Sequence, residues 1–257
     1  MNEKLFDYIA VCPTAFHTCA HSADMLRESG YTELCEAQRW EIVPGGKYFV
    51  TRNGSSLIAF RVPAGEIAGF MMTAAHGYSP AFKIKENAEL PYWNYLRLSV
   101  EKYGGMLCAP WLDRPLSVAG RVLVSEGDKL SVKLVDLKDP CAIIPNVAIH
   151  MNRNANDGMS YNAAVDMLPV WMSSEKGSFR AAVAKAAGVA EDAIVTAVEF
   201  RDKDDAVVYK AANPAGVGEF DWNADGKAVV FWPPIRKAFA GGRGKGLILG
   251  NGLRPLR

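Results

Sequence analysis

The sequence lacks the features typical of membrane proteins, nucleic-acid binders and disulfide-rich secreted domains. No apolar run approaches membrane-spanning length, and the N-terminus has neither the apolar core nor the small-residue cleavage site of a signal peptide. With 29 basic and 28 acidic residues, the net charge is only +1, so no global field attracts a polyanion. Five cysteines, without CxxC spacing, predict reduced thiols rather than disulfides or a zinc-thiolate site. We therefore expect a cytoplasmic protein with no nucleic-acid or membrane partner.

The first 80 residues predict the opening of an α/β layer structure. Residues 3–10 and 16–29 have helical character, and Thr14 is placed to cap the second helix. Residues 47–62 predict a β-hairpin around an Asn-Gly turn. The run 69–75 is almost wholly apolar and ends in turn residues, which predicts a buried strand.

The hydrophobic pattern and the composition change several times along the chain, and these changes divide it into four predicted segments. Residues 1–83 form the N-terminal part of an α/β domain, and residues 84–175 alternate as short strands without a strong helix, which predicts an inserted all-β domain. Helical character at 178–192, with Ser178 placed as a cap and Gly188 as a stop, marks a return into the first domain over 176–235. Residues 236–257 form a basic, glycine-rich tail that we expect to be flexible.

The tail admits two other interpretations, and both are weaker. Its "GGRGKG" stretch lacks the GxxxxGK[ST] spacing of a phosphate-binding loop, and no helical pattern follows it. A nucleic-acid-binding tail is disfavoured because no aromatic residue follows Phe239 to stack on bases, and the charge is modest. A flexible tail remains the favoured interpretation.

Several long stretches resemble one known family. They are "CPTAFH" at 12–17, "GGKYFVTRNGSSLIAFRV" at 45–62, "AHGYSPAFKIKENAEL" at 75–90, "VEKYGGMLCAPWLDRPLSVAGRV" at 100–122 and "IPNVAIHMNRNANDGMSYN" at 144–162. Together they resemble the aspartyl aminopeptidase family of dinuclear zinc metallopeptidases. The resemblance implies a zinc-peptidase-like α/β sandwich domain with an inserted all-β dimerisation domain. It also implies release of N-terminal, often acidic, residues from peptides, and assembly into large homo-oligomers, commonly dodecamers.

The resemblance makes His76 a metal-ligand candidate, because it stands where the family has its first zinc-ligand histidine. Such a histidine needs an acceptor for its other ring nitrogen. The family pattern has an aspartate two residues later, whereas this sequence has Tyr78, preceded by Gly77. A phenol can accept a hydrogen bond but brings no negative charge at neutral pH. Two interpretations stay open, a ligand of an intact site and the remnant of a lost one, and the second is favoured.

His150 is a substrate-binding candidate on the same basis. It matches the histidine that similar proteins extend from the dimerisation domain into a neighbouring subunit's active site. The alternative is a strand histidine that is bonded within its own β domain. The sequence does not decide between the two placements, and a functional role of His150 in this chain is disfavoured.

The family's remaining zinc ligands and its general base have no residues in this sequence that align with them. The chain contains no Glu-Glu pair for the general base and its neighbouring ligand, and no histidine follows His150. Two zinc ions held close together need bridging carboxylate and several protein ligands. Six carboxylates further on are better explained by a solvated acidic loop: Asp202, Asp204, Asp205, Glu219, Asp221 and Asp225.

We therefore predict a catalytically incomplete zinc aminopeptidase that acts on peptides and self-associates, and whether the chain itself is an enzyme stays open. The alternative is a non-catalytic pseudo-enzyme or association module that acts through its β domain. A frameshift, a truncation or a real adaptation could each produce the divergent C-terminal part.

Other groupings are less promising. His17 and His21 are four residues apart on a predicted helix, but HExxH chemistry needs a glutamate where Thr18 stands, so a structural pair is favoured. Ser79 has no nucleophile-elbow context. The Asp113–Arg114 dipeptide predicts an intradomain ion pair or turn rather than a substrate contact.

Overall fold

The structure, a computed structural model, describes residues 2–127, 129–173 and 177–195, and the backbone of five later strand segments. The chain divides into two units, with a break between Ser79 and Pro80. Apart from 253–255, the predicted tail 236–257 lies outside the described residues. Within the described part of the chain, no helix has the length and apolarity needed to cross a membrane.

The described elements are three α-helices and fifteen short or medium strands. The helices are α1 (Asn2–Val11), α2 (Ala15–Glu28) and α3 (Phe179–Ala187). The strands are β1 (Thr32–Leu34), β2 (Lys47–Arg52), β3 (Ser56–Arg61), β4 (Ala81–Tyr92), β5 (Tyr95–Tyr103), β6 (Pro115–Leu116), β7 (Ala119–Glu126), β8 (Lys129–Asp136), β9 (Ala142–Ile143), β10 (Val170–Ser173), β11 (Ala197–Arg201), β12 (Val207–Ala212), β13 (Asp221–Trp222), β14 (Ala228–Val229) and β15 (Leu253–Pro255).

The two predicted N-terminal helices are confirmed, and so is the predicted cap. Thr14 has extended backbone angles, and its hydroxyl accepts a hydrogen bond from the His17 backbone N–H. Phe16, Cys19 and Ala23 recur at helical spacing along α2 and are buried. This apolar stripe packs on β2 and β3, which fixes the position of the helix in the first unit.

The predicted hairpin is also confirmed. β2 and β3 pair antiparallel from Lys47–Arg61 at the open end to Arg52–Ser56 at the turn. Asn53 and Gly54 have φ angles of 53° and 63°, the left-handed region that such turns require and that these residue types tolerate. β1 adds to β2 in parallel, so the sheet of the first unit has the order β1-β2-β3.

The predicted buried strand at 69–75 is wrong. These residues form no strand and all are exposed, and Phe70 retains 84% of its accessible surface. A strand needs neighbours to bond its backbone and a second layer to cover its side chains. In the part of the chain that the structure describes, no strand pairs with this segment. An apolar run predicts the tendency to be buried, but it cannot supply the partner.

The second unit contains most of the strands. One sheet has the order β4-β5-β10-β9-β6, and β7 and β8 form a separate antiparallel hairpin. Alternate residues of β5, including Leu96, Leu98 and Val100, are buried, as are Val122 and Val124 of β7. This alternation is the pattern that the sequence shows over the same region.

Helix α3 completes the core of the second unit. Ser178 caps it by accepting a hydrogen bond from the Ala181 backbone N–H, and Gly188 ends it in the left-handed conformation with φ of 67°, as predicted. Phe179 is 1% exposed and contacts Trp171 edge-to-face, with ring centroids 5.2 Å apart. The helix and strands thus share one hydrophobic cluster.

We expect Phe179→Ala to destabilise the protein by about 3–5 kcal/mol, because it removes a buried ring and leaves a cavity beside Trp171. Urea unfolding followed by tryptophan fluorescence measures this change. The matched control is Val165→Ala in a turn of the same unit, where the side chain is 63% exposed, and it should change stability by no more than about 0.5 kcal/mol. Equal effects of the two substitutions would contradict the described core.

Candidate metal site

His76 lies in an exposed, non-regular segment of the first unit, and a local hydrogen bond fixes its ring. Its Nδ1 is 2.5 Å from the backbone carbonyl oxygen of Tyr78. A carbonyl can only accept, so a neutral His76 carries its proton on Nδ1 and presents the lone pair of Nε2. This tautomer suits a metal ligand that binds through Nε2.

The acceptor differs from the one considered in the sequence. The structure uses the Tyr78 carbonyl and not its phenol to fix the His76 ring, and the two rings lie 5.8 Å apart, tilted by 58°. A carbonyl orients the imidazole as a carboxylate does, but it carries no net charge. The ring is therefore positioned without the negative charge that raises the basicity of a metal-binding histidine.

The segment that carries His76 also lies close to helix α2, at Gly77. A Cβ atom built on Gly77 would lie 3.2 Å from Cγ2 of Thr18. That distance is tight for two carbon atoms, so a larger residue at position 77 requires Thr18 to move. Gly77 thus lets the backbone beside His76 lie against the first turns of the helix.

The donor set around His76 does not fit a two-zinc centre. Among the described residues, no group of three or more His, Cys, Asp or Glu side chains is placed to hold a metal ion. Structural and catalytic zinc sites use three or four protein ligands, and two ions need bridging carboxylates as well. The six carboxylates singled out after residue 200 have no described side chains.

The histidines of α2 have structural contacts instead. His17 Nδ1 is 2.8 Å from the Thr14 hydroxyl, and the His21 ring lies 5.4 Å from the Tyr8 ring. Cys19 between them is buried, and burial, with a smaller effect of Glu33, raises the pKa of its thiol. A neutral thiol is a poor metal ligand. These contacts support the structural interpretation of the pair.

His150 lies in the second unit, in an exposed turn between Ile149 and Met151. The alternative of a strand histidine is therefore wrong, because His150 stands in a turn and takes part in none of the described strand pairings of the second unit, called here the β unit. The segment that leads to it is anchored by Asp113, whose carboxylate accepts from the Asn146 backbone N–H at 2.9 Å.

The sequence predicts an ion pair or a turn at Asp113–Arg114, but it does not predict the contacts that Asp113 makes with residues 144 and 146. Its own N–H donates to the Ile144 carbonyl at 2.9 Å, and its φ is 57°. The left-handed backbone, tolerated by aspartate, lets one residue bind the 144–146 segment through both its backbone and its side chain. Asp113 and the 144–146 segment are far apart in the sequence, so no local motif predicts that they are hydrogen-bonded.

Comparison with known proteins agrees with this architecture. A family model described as Aminopeptidase I zinc metalloprotease (M18) matches residues 8–203. A probable M18 family aminopeptidase 2 of Azotobacter vinelandii is 42% identical over 190 residues, which cover 72% of this chain and 44% of that protein. A homologue from Clostridium acetobutylicum is 45% identical over 173 residues, 65% of this chain and 40% of that protein.

Comparison with solved structures also identifies similar proteins. The structure of mApe1 from Chaetomium thermophilum has a TM-score of 0.66 and 34% identity, covering 75% of this chain and 48% of that one. A chain in the cryo-EM structure of the Ape4 and Nbr1 complex has a TM-score of 0.68 and 31% identity, and the match covers 74% of this chain and 41% of that one. The fold is thus that of a zinc metallopeptidase. The chain belongs to the M18 aminopeptidase family, and it spans less than half of the length of the relatives it matches.

We expect the 257-residue chain to retain no stoichiometric zinc after dialysis, because among the described residues His76 offers one ligand where zinc sites use three or four. Atomic emission spectroscopy of the dialysed protein measures the zinc content per chain. The zinc content of His76→Ala and of the control His21→Ala should equal that of the parent chain. One zinc per chain, lost only in His76→Ala, would show that further ligands complete the site.

Proposed function

We propose that this chain provides the N-terminal part of an M18 zinc aminopeptidase. It contributes the elements that present His76, together with a β unit that carries His150 and mediates self-association. The observation that carries this proposal is the family match over residues 8–203. That match includes the His76 segment and the whole β region, and the ring of His76 is held in the tautomer that a metal ligand needs.

The proposed substrates are peptides, from which the complete enzyme releases the N-terminal residue. The resemblance of the motifs to aspartyl aminopeptidases favours acidic N-terminal residues. The proposed location is the cytoplasm, which the five unpaired cysteines support, since thiols stay reduced there.

The 257 residues themselves do not supply the catalytic groups. Peptide hydrolysis needs an activated water and a base that accepts its proton. The chain has no Glu-Glu pair and no histidine after His150. We infer that the chain alone is catalytically incomplete and that its contribution to the activity is partial.

We expect the purified chain with added zinc to show negligible aminopeptidase activity. The test measures release of N-terminal aspartate, glutamate and leucine from chromogenic substrates, with His76→Ala as the baseline. Parent and variant should give equal background rates. Turnover of about 1 per second or more in the parent, lost in His76→Ala, would contradict this and would mean that residues after position 200 complete the site.

A second candidate function is association through the β unit without catalysis. Val132 and Leu134 lie two residues apart on β8, hence on the same face, and both are exposed. Near the tip of the β4–β5 hairpin, Tyr92, Trp93 and Tyr95 are exposed as well. Apolar surface of this kind on a folded unit is typical of protein–protein contacts.

We expect the chain to self-associate at tens of micromolar, and Val132→Lys to shift the equilibrium towards monomer, since a charge replaces an apolar contact on β8. Sedimentation velocity measures the distribution. The control is Val165→Lys, an exposed valine in a turn of the same unit, which should leave the distribution unchanged. A parent chain that is entirely monomeric would remove this part of the proposal.

A further inference from the structure

The tip of the β4–β5 hairpin, in the second unit, holds a tryptophan in a strained backbone conformation. Tyr92 and Tyr95 form the last pair of the ladder, so Trp93 and Asn94 make a two-residue turn. Trp93 has a φ of 52°, a conformation that disfavours bulky side chains and that glycine normally supplies at the first position of such turns. Its side chain is 88% exposed, so burial does not account for the tryptophan. Strain of this kind is typical of residues that contact another molecule.

An arginine lies on the same face of the hairpin as the two tyrosines. Arg97 pairs with Leu90 across the ladder, as Tyr95 pairs with Tyr92. Residues directly opposite each other, and residues two apart on one strand, share a face of the sheet. Leu96 is buried on the opposite face, in the hydrophobic cluster of the unit. Arg97 and the two tyrosines therefore lie on the outer face, away from this core.

Stacking orients Arg97 but leaves its hydrogen-bond donors unused. Its Cζ lies 4.0 Å from the centre of the Tyr92 ring, and the Tyr92 ring lies 6.4 Å from that of Trp93. A stacked guanidinium keeps its N–H groups in the plane of the group, where they can meet a carboxylate. In the part of the chain that the structure describes, its Nε is buried without an acceptor and no carboxylate pairs with it. A buried unpaired donor is costly, and a bound anion offsets that cost.

The composition of this surface indicates the kind of partner. We call it the tip patch: Tyr92, Trp93, Tyr95 and Arg97. Tryptophan, tyrosine and arginine are the residues that contribute most to binding energy at protein interfaces. Arg97 is the one charged residue among positions 90–98, which suits a single carboxylate. A nucleic acid is disfavoured, because one cation cannot follow a series of phosphates.

We propose that the tip patch is a docking site for an acidic segment of another polypeptide, in which an aspartate or glutamate lies beside a large apolar side chain. The carboxylate binds the guanidinium of Arg97. The apolar side chain packs on Trp93 and Tyr95. The inference rests on the second unit alone and does not require that the chain takes part in catalysis.

The experiment adds a pool of short peptides to the full chain. Each peptide is N-acetylated and C-amidated, and each holds one aspartate or glutamate beside leucine, phenylalanine or tryptophan. A matched pool holds asparagine or glutamine instead. NMR follows the indole N–H of Trp93, which Trp93→Gly assigns, and the Nε–H of Arg97. The acidic pool should shift both signals, with an affinity that falls as salt is added. The amide pool should bind about tenfold more weakly, because it lacks the charge-assisted hydrogen bonds.

Two matched pairs of variants test the patch itself. Trp93→Gly should weaken binding about tenfold or more, while its melting temperature equals or exceeds that of the parent, because glycine adopts the turn conformation without strain. Phe70→Gly, at an equally exposed aromatic residue of the first unit, should leave the affinity unchanged. Arg97→Gln should abolish the preference for the acidic pool. Arg153→Gln, at an exposed arginine of the second unit, should keep it.

Each other outcome overturns the inference. If the acidic pool does not bind, or if both pools bind equally well, Arg97 does not receive a carboxylate. If Trp93→Gly keeps the parent's affinity, or melts well below the parent, the tryptophan has no docking role or has a structural one. If Trp93→Gly shifts sedimentation towards monomer, a second copy of the chain occupies the patch. The blocked peptides offer no free N-terminus, so none of these outcomes depends on peptidase activity.

Discussion

Every strand in this chain needs a neighbour for its backbone N–H and C=O groups, and the availability of neighbours decides which segments are ordered into a core. In the second unit the requirement is met locally: β4 pairs with β5, and β7 pairs with β8. In the first unit the hairpin β2–β3 meets it, but residues 69–75 do not. The candidate metal ligand His76 directly follows this apolar run, which pairs with no described strand.

The sequence predicts features whose causes are local. Thr14 and Ser178 were identified as caps because the cap, its acceptor oxygen and its N–H partner lie within three residues. The Asn53–Gly54 turn was identified because only a few residue types tolerate positive φ at both positions. The apolar run was misjudged because burial depends on segments far away in the chain or outside it. The Asp113 contact with Asn146 spans 33 residues, and no local pattern encodes it.

At His76 the group that orients the imidazole differs from the one that the sequence suggests. The sequence directs attention to the side chain at position 78, because the family pattern has a carboxylate there. The structure instead uses the backbone carbonyl of Tyr78, which any residue at that position provides. Orientation of the imidazole therefore survives the loss of the aspartate, whereas the negative charge does not. A group that bonds the second nitrogen of a metal-binding histidine can contribute orientation and negative charge. The Tyr78 carbonyl contributes the orientation without the charge.

The same separation applies to the two units. Asp113 binds the 144–146 segment by two hydrogen bonds that lie wholly within the second unit. The described hydrogen bonds that anchor the segment leading to His150 thus come from within the second unit. Among the printed contacts of the described residues, the His76 ring is held by the Tyr78 carbonyl, and its segment approaches α2 at Gly77. The described contacts that place His150 and those that place His76 thus lie in different units of the chain. A change that disturbs one candidate residue need not disturb the other, so the proposed association and the proposed catalytic contribution can be lost separately.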